Sequence, residues 1–272
     1  MFKDISKILI LSDMDGTLLN SKKQISNIDK EAIKKFENLG GKFTVATGRT
    51  IQSFEQYRSM IELKYPVVMY NGAAIYDYNS ESVLYTSPLP LEAKAIAIEI
   101  MQNMPDVGGE VLKTDGTYIF SNNDYQKLHT KICNIVPKYM ELDAIENGNW
   151  LKVLFAMAPE DITHIELFVR NKGYDSVSFV KSSDIFYEMI AQNVSKGSAL
   201  NEYRKFEEFK DFTFVAIGDF DNDIEMIREA DFGVCPANAE KSVKKIADLE
   251  LNSSCEDGAV AELIEYIIEN NN

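Results

Sequence analysis

Hydrophobic and polar positions follow two different rhythms along this chain. In the first third, short continuous apolar runs alternate with stretches of helical spacing. Lys7-Ile8-Leu9-Ile10-Leu11 stops at Ser12-Asp13, the pattern of a strand buried on both faces. A helix follows, with Ser26 as N-cap, Asp29 at the capping-box position, an apolar face of Ile28, Ala32, Phe36 and Leu39, and Gly40-Gly41 as its end. Phe43–Ala46 predicts a second strand, the spacing of Ile51, Phe54, Arg58 and Ile61 a second helix, and Val67–Tyr70 a third strand. The last third repeats the alternation, with strands at Phe214–Ile217 and Phe232–Cys235, a helix over Asn222–Glu229, and a closing helix marked by Val260, Leu263, Ile264 and Ile267. Strands alternating with helices predict a parallel sheet with right-handed crossovers.

The middle has a different order. Pro88 and Pro90 precede a helix ending near Met104, and Asp115-Gly116 between two β-rich runs predicts a hairpin. A polar helix near 123–135 follows, then a strand over Leu151–Ala156 and a helix over 159–171. Two strands, Val177–Val180 and Ile185–Ile190, complete the segment. This α-β-β-α-β-α-β-β order predicts an inserted α+β domain. The chain is therefore divided into an α/β core of residues 1–85 and 188–272 and an insert of residues 86–187.

Composition narrows the function. The 272 residues carry 28 basic and 43 acidic side chains, a net charge of −15, which argues against a nucleic-acid or anionic-membrane surface. The longest apolar run, Val153–Ala158, is far shorter than a membrane span. No basic stretch followed by an apolar core marks a signal peptide, so a cytoplasmic location is expected. Cys133, Cys235 and Cys255 follow no Cys-x-x-Cys spacing and read as reduced thiols. His129 and His164 are the only histidines, too few for a usual zinc site, and both read as surface residues on polar helices.

In an open parallel sheet, ligands bind at the carboxyl ends of the strands. The segments there are Asp13-Met14-Asp15-Gly16-Thr17, Thr47-Gly48-Arg49, Asn71-Gly72 and Gly218-Asp219-Phe220-Asp221-Asn222-Asp223. Five carboxylates would converge on one spot, which is costly unless a cation or a proton offsets them. Oxygen donors without histidine or cysteine favour Mg²⁺. Thr47, Gly48 and Asn71 offer donors or room for phosphate oxygens, and Lys196, opening a helix after Ser195, adds positive charge. A calcium loop on Asp219, Asp221 and Asp223 would need Gly at Ile224 and Glu at Ala230, so it is excluded. The chain has no Gly-x-x-x-x-Gly-Lys-Ser/Thr and no Gly-x-Gly string, which sharply weakens the kinase-like NTPase and dinucleotide readings.

Together with Ala46-Thr47-Gly48-Arg49, Tyr70-Asn71-Gly72-Ala73 and Val194-Ser195-Lys196-Gly197, these strings resemble the haloacid dehalogenase superfamily, and its Cof-type phosphatases in particular. The resemblance covers nearly the whole chain. It implies a Rossmann-like core, a mobile cap inserted after the second motif that sets specificity, and Mg²⁺-dependent hydrolysis of a small phosphorylated metabolite, a sugar phosphate first among the candidates. Asp13 would be the nucleophile and Asp15 the general acid and base. Thr47 and Lys196 would hold the phosphoryl group, with Gly48, Asn71 and Asn222 lining its site. Mg²⁺ would sit on Asp13, the Asp15 main-chain carbonyl and Asp219, with Asp223 close by. Met14 and Asp221 are departures from the pattern. The alternatives are a phosphomutase of the same fold and a phosphometabolite-binding regulator without turnover. The expected assembly is a monomer or small homo-oligomer, without nucleic-acid or membrane partners.

Overall fold

In the computed structural model, which describes residues 2–271, the first apolar run forms β1 (Ile8–Ser12), buried at every position. The chain continues through α1 (Asn27–Asn38), β2 (Lys42–Val45), α2 (Ile51–Phe54), β3 (Val67–Met69), β4 (Ala74–Asp77) and β5 (Ser82–Thr86). The insert contributes α3 (Ala93–Asn103), β6 (Gly108–Lys113), β7 (Gly116–Ser121), α4 (Asp124–Ile132), β8 (Lys138–Tyr139), β9 (Lys152–Ala156), α5 (Pro159–Lys172), β10 (Val177–Lys181) and β11 (Phe186–Ala191). The return runs through α6 (Lys196–Tyr203), β12 (Thr213–Ile217), α7 (Ile224–Glu229), β13 (Phe232–Cys235), α8 (Lys241–Lys244), β14 (Leu249–Glu250) and α9 (Ala259–Glu269). Two units result. One comprises the chain up to Arg49, Tyr57–Tyr85 and the chain from Ser195 on; the other comprises Thr50–Gln56 and Thr86–Val194. The division expected at residue 187 falls inside β11.

The first unit is built on a parallel sheet of order β14-β13-β12-β1-β2. From β1 the chain steps to β2 on one side, and on its return fills β12, β13 and β14 on the other. The switch point therefore lies between β1 and β12, which pair from Ile8↔Thr213 to Ser12↔Ile217. Both faces of β1 are covered, which explains its unbroken apolar run. Leu9 and Leu11 pack with Leu200 and Tyr203 of α6 and with Phe214 and Met226 in one buried cluster.

Three expectations for this unit need correction. The buried positions of α1 are Asp29, Ile33 and Phe36, while Ile28 and Leu39 face solvent. Asp29 occupies its buried place because Oδ1 accepts the Ala261 N–H at 2.9 Å, a bond that hydropathy does not register. The helix expected over 51–61 stops at Phe54 and passes into a 3-10 turn. There the Arg58 guanidinium donates to the Tyr78 carbonyl at 3.1 Å. Among the described residues, the third strand meets the parallel sheet only at the Ala46–Val68 bridge. It pairs antiparallel with β4 instead, because Tyr70, Asn71 and Gly72 all take positive φ and reverse the chain at once.

The second unit is a six-stranded sheet of order β10-β11-β9-β6-β7-β8, antiparallel apart from the β7–β8 pair. The hairpin expected around Asp115-Gly116 is β6–β7, with Lys113 opposite Gly116. α3 and α5 bury aliphatic positions, among them Ile96, Ile100, Ile162 and Ile165. α4 instead buries Gln126 and His129, so His129 is an interior residue and only His164 is a surface one. Among the described residues no helix is long and apolar enough to cross a membrane.

Candidate active site

The site lies at the carboxyl ends of β1 and β12, where the sheet changes direction. Asp13 follows β1 and its N–H donates to the Ile217 carbonyl at 2.8 Å, tying the two strand ends together. Lys196 is the first residue of α6, whose N-cap Ser195 forms a capping box with Ser198. Its ammonium is fully buried, forms an ion pair with Asp13 Oδ1, and donates to Asp223 Oδ1 at 2.6 Å. The other oxygen of Asp223 accepts the N–H groups of Asp219 and Phe220 at 3.0 and 3.1 Å. Asp223 therefore holds both the lysine and the backbone of the acidic loop.

Asp13, Asp219 and Asp223 bring three carboxylates within 4.8 Å of one another. Burial pushes the Asp13 carboxyl well above its ordinary range; Lys196 opposes this, and the charge of Asp223 adds to it. Burial also raises Asp219, to about 6, against the Thr17 hydroxyl and with Asp223 adding to the rise. Burial favours a neutral Lys196 amine, but Asp13 and Asp223 outweigh it and the group is held charged. One ammonium thus faces three carboxylates. An all-oxygen set of acidic groups fits a hard divalent cation.

The five acids do not all converge. Asp15 points into a cationic clamp, accepting from Arg49 Nε at 3.0 Å, Arg49 Nη2 at 2.7 Å and Lys23 Nζ at 2.7 Å. Burial would raise the Asp15 carboxyl, but Arg49 and Lys23 together hold it below the usual value. Asp221 turns to the Ser242 hydroxyl at 2.5 Å. The loop after β1 is anchored instead by Thr17, whose hydroxyl donates to Asp219 Oδ1 at 2.7 Å, and by Asn238, whose amide donates to the Gly16 carbonyl at 2.8 Å. Gly16 has φ +92 and lies so close to the Asp219 carboxylate that a Cβ would collide with it. Arg49, Lys23, Thr17 and Asn238 were not expected as site residues. Arg49 was visible as the residue closing the second loop, while nothing local to Lys23 marks it.

The neutral groups lie beside one another. Thr47 is buried, and its hydroxyl accepts the Arg49 N–H at 3.2 Å. Asn71, at φ +55, accepts from Asn222 Nδ2 at 3.2 Å through Oδ1. That same oxygen would lie 2.7 Å from a Cβ on Gly48, so the glycine makes room for the amide. Thr47, Gly48, Asn71 and Asn222 thus come together across the ends of β2, β3 and β12.

Comparison with known proteins agrees with this architecture. A Bacillus subtilis (strain 168) protein named 5-amino-6-(5-phospho-D-ribitylamino)uracil phosphatase YcsE is 28% identical over 268 residues, covering 98% of both chains. Pyridoxal phosphate phosphatase YbhA of Escherichia coli (strain K12) is 24% identical, covering 96% of this chain and 98% of its own. The crystal structure of TM0651 from Thermotoga maritima superposes with a TM-score of 0.84 at 26% identity, covering 98% of this chain and 97% of that one. Residues 10–264 match the family model described as haloacid dehalogenase-like hydrolase. With that match spanning nearly its full length, the chain belongs to the haloacid dehalogenase-like hydrolases, and the relatives from Bacillus subtilis and Escherichia coli are named phosphatases.

Proposed function

We propose that this phosphatase hydrolyses the phosphate monoester of a small metabolite, a sugar phosphate first among the candidates, through a phosphorylated Asp13. The observation that carries the reading is the buried set of Asp13, Lys196, Asp219 and Asp223 at the switch point. Two relatives are named for small phosphorylated metabolites, which supports the substrate class.

Lys196 fixes Asp13 Oδ1 and leaves Oδ2 to attack phosphorus in line with the leaving oxygen. The ammonium, the Thr47 hydroxyl and the amides of Asn71 and Asn222 hold the phosphoryl oxygens as charge spreads over them. Asp15 gives a proton to the leaving oxygen and then takes one from the water that opens the acyl phosphate. To do so it exchanges its Arg49 and Lys23 contacts for the substrate. Mg²⁺ would be held by Asp13 and Asp219, with the Asp15 main-chain carbonyl beside them and Asp223 supporting, and would neutralise the charge of nucleophile and phosphate. The unit inserted between β5 and α6 is assigned the selection of the leaving group, as a cap that excludes water during turnover.

The test is release of inorganic phosphate from a panel of sugar phosphates, phosphorylated cofactors and nucleotides with Mg²⁺ present, for the wild type and Asp13→Asn. Turnover of at least one substrate, lost in the variant, is expected. No phosphate from any compound, or undiminished turnover by Asp13→Asn, rejects the reading.

A further inference from the structure

The second unit holds another constellation, which the proposed reaction does not use. His129 and Cys133 stand one turn apart on α4 and its C-cap, with Cys133 Sγ 3.4 Å from His129 Nε2. The other ring nitrogen, Nδ1, forms an ion pair with Glu110 Oε1 of β6. Glu110 is fully buried and His129 nearly so, while Cys133 is half-buried. The fully buried Gln126 turns Nε2 toward Glu110 Oε2 at 3.5 Å, and its Oε1 has no hydrogen-bond donor among the described residues. A buried acceptor in that condition is costly unless a ligand or water supplies a donor.

We propose that Cys133 is a nucleophilic thiol, activated by the His129–Glu110 dyad, and a site of mixed-disulfide formation with low-molecular-weight disulfides. Thiols attack as thiolates, and an imidazolium within hydrogen-bond reach favours that form. A carboxylate behind the ring orients it and keeps it charged. Burial opposes a charged His129, but Cys133 and Glu110 outweigh it and push the ring up to about 10. The negative end of α4 opposes a thiolate, so the imidazolium is the group that matters. The other thiols lack this arrangement: burial pushes Cys235 up to about 11, and burial with Glu256 nearby raises Cys255.

In the reaction, the thiol proton passes to water, the His129 imidazolium pairs with the thiolate, and the Cys133 sulfur attacks one sulfur of the disulfide. The disulfide bond breaks, and the departing thiolate takes a proton from water and leaves as a thiol. One thiol and one disulfide are consumed, and one of each is formed.

The test incubates the native full-length chain with glutathione disulfide at pH 7 and maps adducts by mass spectrometry. Cys255, likewise half-buried, is the control within the same molecule. Cys133 should react about tenfold faster than Cys255, the order expected for an activated thiol. His129→Gln and Glu110→Gln should each remove most of that advantage without changing the Cys255 rate or the circular dichroism. Should His129→Gln fail to fold, the wild-type ratio and Glu110→Gln decide the matter. Equal rates at the two cysteines, or an unchanged Cys133 rate in a folded variant, overturns the proposal.

Discussion

Arg49 grips both carboxylate oxygens of Asp15, through Nε at 3.0 Å and Nη2 at 2.7 Å. The guanidinium is itself held against the Tyr57 ring, 4.3 Å from its centroid. The fork thus aims a carboxylate two residues from Asp13 along a fixed direction. It also holds that carboxyl below its usual range, so the proton donation proposed for Asp15 requires the grip to loosen as substrate arrives.

The first prediction concerns this fork. Charge-assisted hydrogen bonds contribute ~1.5–3 kcal/mol each, and the partial exposure of Asp15 places the effect at the low end. Arg49→Ala should therefore lower the free energy of unfolding by ~1.5 kcal/mol, measured in urea without substrate. Arg49→Lys should not restore it, because an ammonium cannot make two parallel bonds. Full rescue by lysine would show that only the charge matters.

The second concerns charge balance. Lys196→Met would leave Asp13 and Asp223 buried without their shared cation. Removing one partner of a buried pair costs ~3–5 kcal/mol, measurable by urea unfolding without Mg²⁺. Adding Asp13→Asn should recover part of that loss by removing one of the stranded carboxylates. A cost below ~1 kcal/mol for Lys196→Met would mean that water reaches the cluster.

The third concerns the cation. Binding to the folded state alone stabilises by mass action, by ~2.7 kcal/mol at one hundred times the dissociation constant. Mg²⁺ should raise the Tm of the wild type and restore activity to chelated enzyme. Asp219→Asn should need far more Mg²⁺ for either effect. Full turnover after chelation would remove the metal from the mechanism.

The acidic loops were legible because strand ends in a parallel sheet are where ligands gather, and Asp13, Asp219 and Asp223 each stand at or just beyond one. Lys196 was legible from the Ser195 cap before it. Partnerships across the fold left less trace. Asp29 and His129 look like surface residues, yet each is carried inside by one distant group, the Ala261 N–H or the Glu110 carboxylate. The pairing of Lys23 with Asp15 likewise depends on a loop whose course no periodicity encodes, with Lys23 itself at φ +57.

The fourth prediction concerns pH and His129, which faces Glu110, Cys133 and the Phe186 ring. Its pKa rises from 6.5 to about 10 on folding. A raised value favours the folded state fully below pH 6.5, and the contribution is lost as pH rises toward 10. Hydrogen exchange in α4 and β6, measured relative to the intrinsic base-catalysed rate at each pH, should therefore accelerate over that window. His129→Gln should flatten the dependence; the same acceleration in the variant would assign it to another group.

The last prediction separates Asp15 from the metal by its leaving-group dependence. An alkoxide leaving from a sugar phosphate is strongly basic and needs a proton in the transition state. A p-nitrophenolate is far less basic and gains little from one. A positioned acid contributes ~10²–10⁴-fold, roughly 3–5 kcal/mol of barrier. Asp15→Asn keeps the size of the side chain and the main-chain carbonyl. It also leaves an amide oxygen for Arg49, so the loop should keep its course. Pre-steady-state release of the leaving group should thus fall much more for sugar phosphates than for p-nitrophenyl phosphate. Steady-state turnover should fall for both, because in the proposed mechanism the same residue activates water in the second step. Equal first-step losses on the two substrates would mean that Asp15 acts through loop structure or the cation, and its role as general acid would be withdrawn.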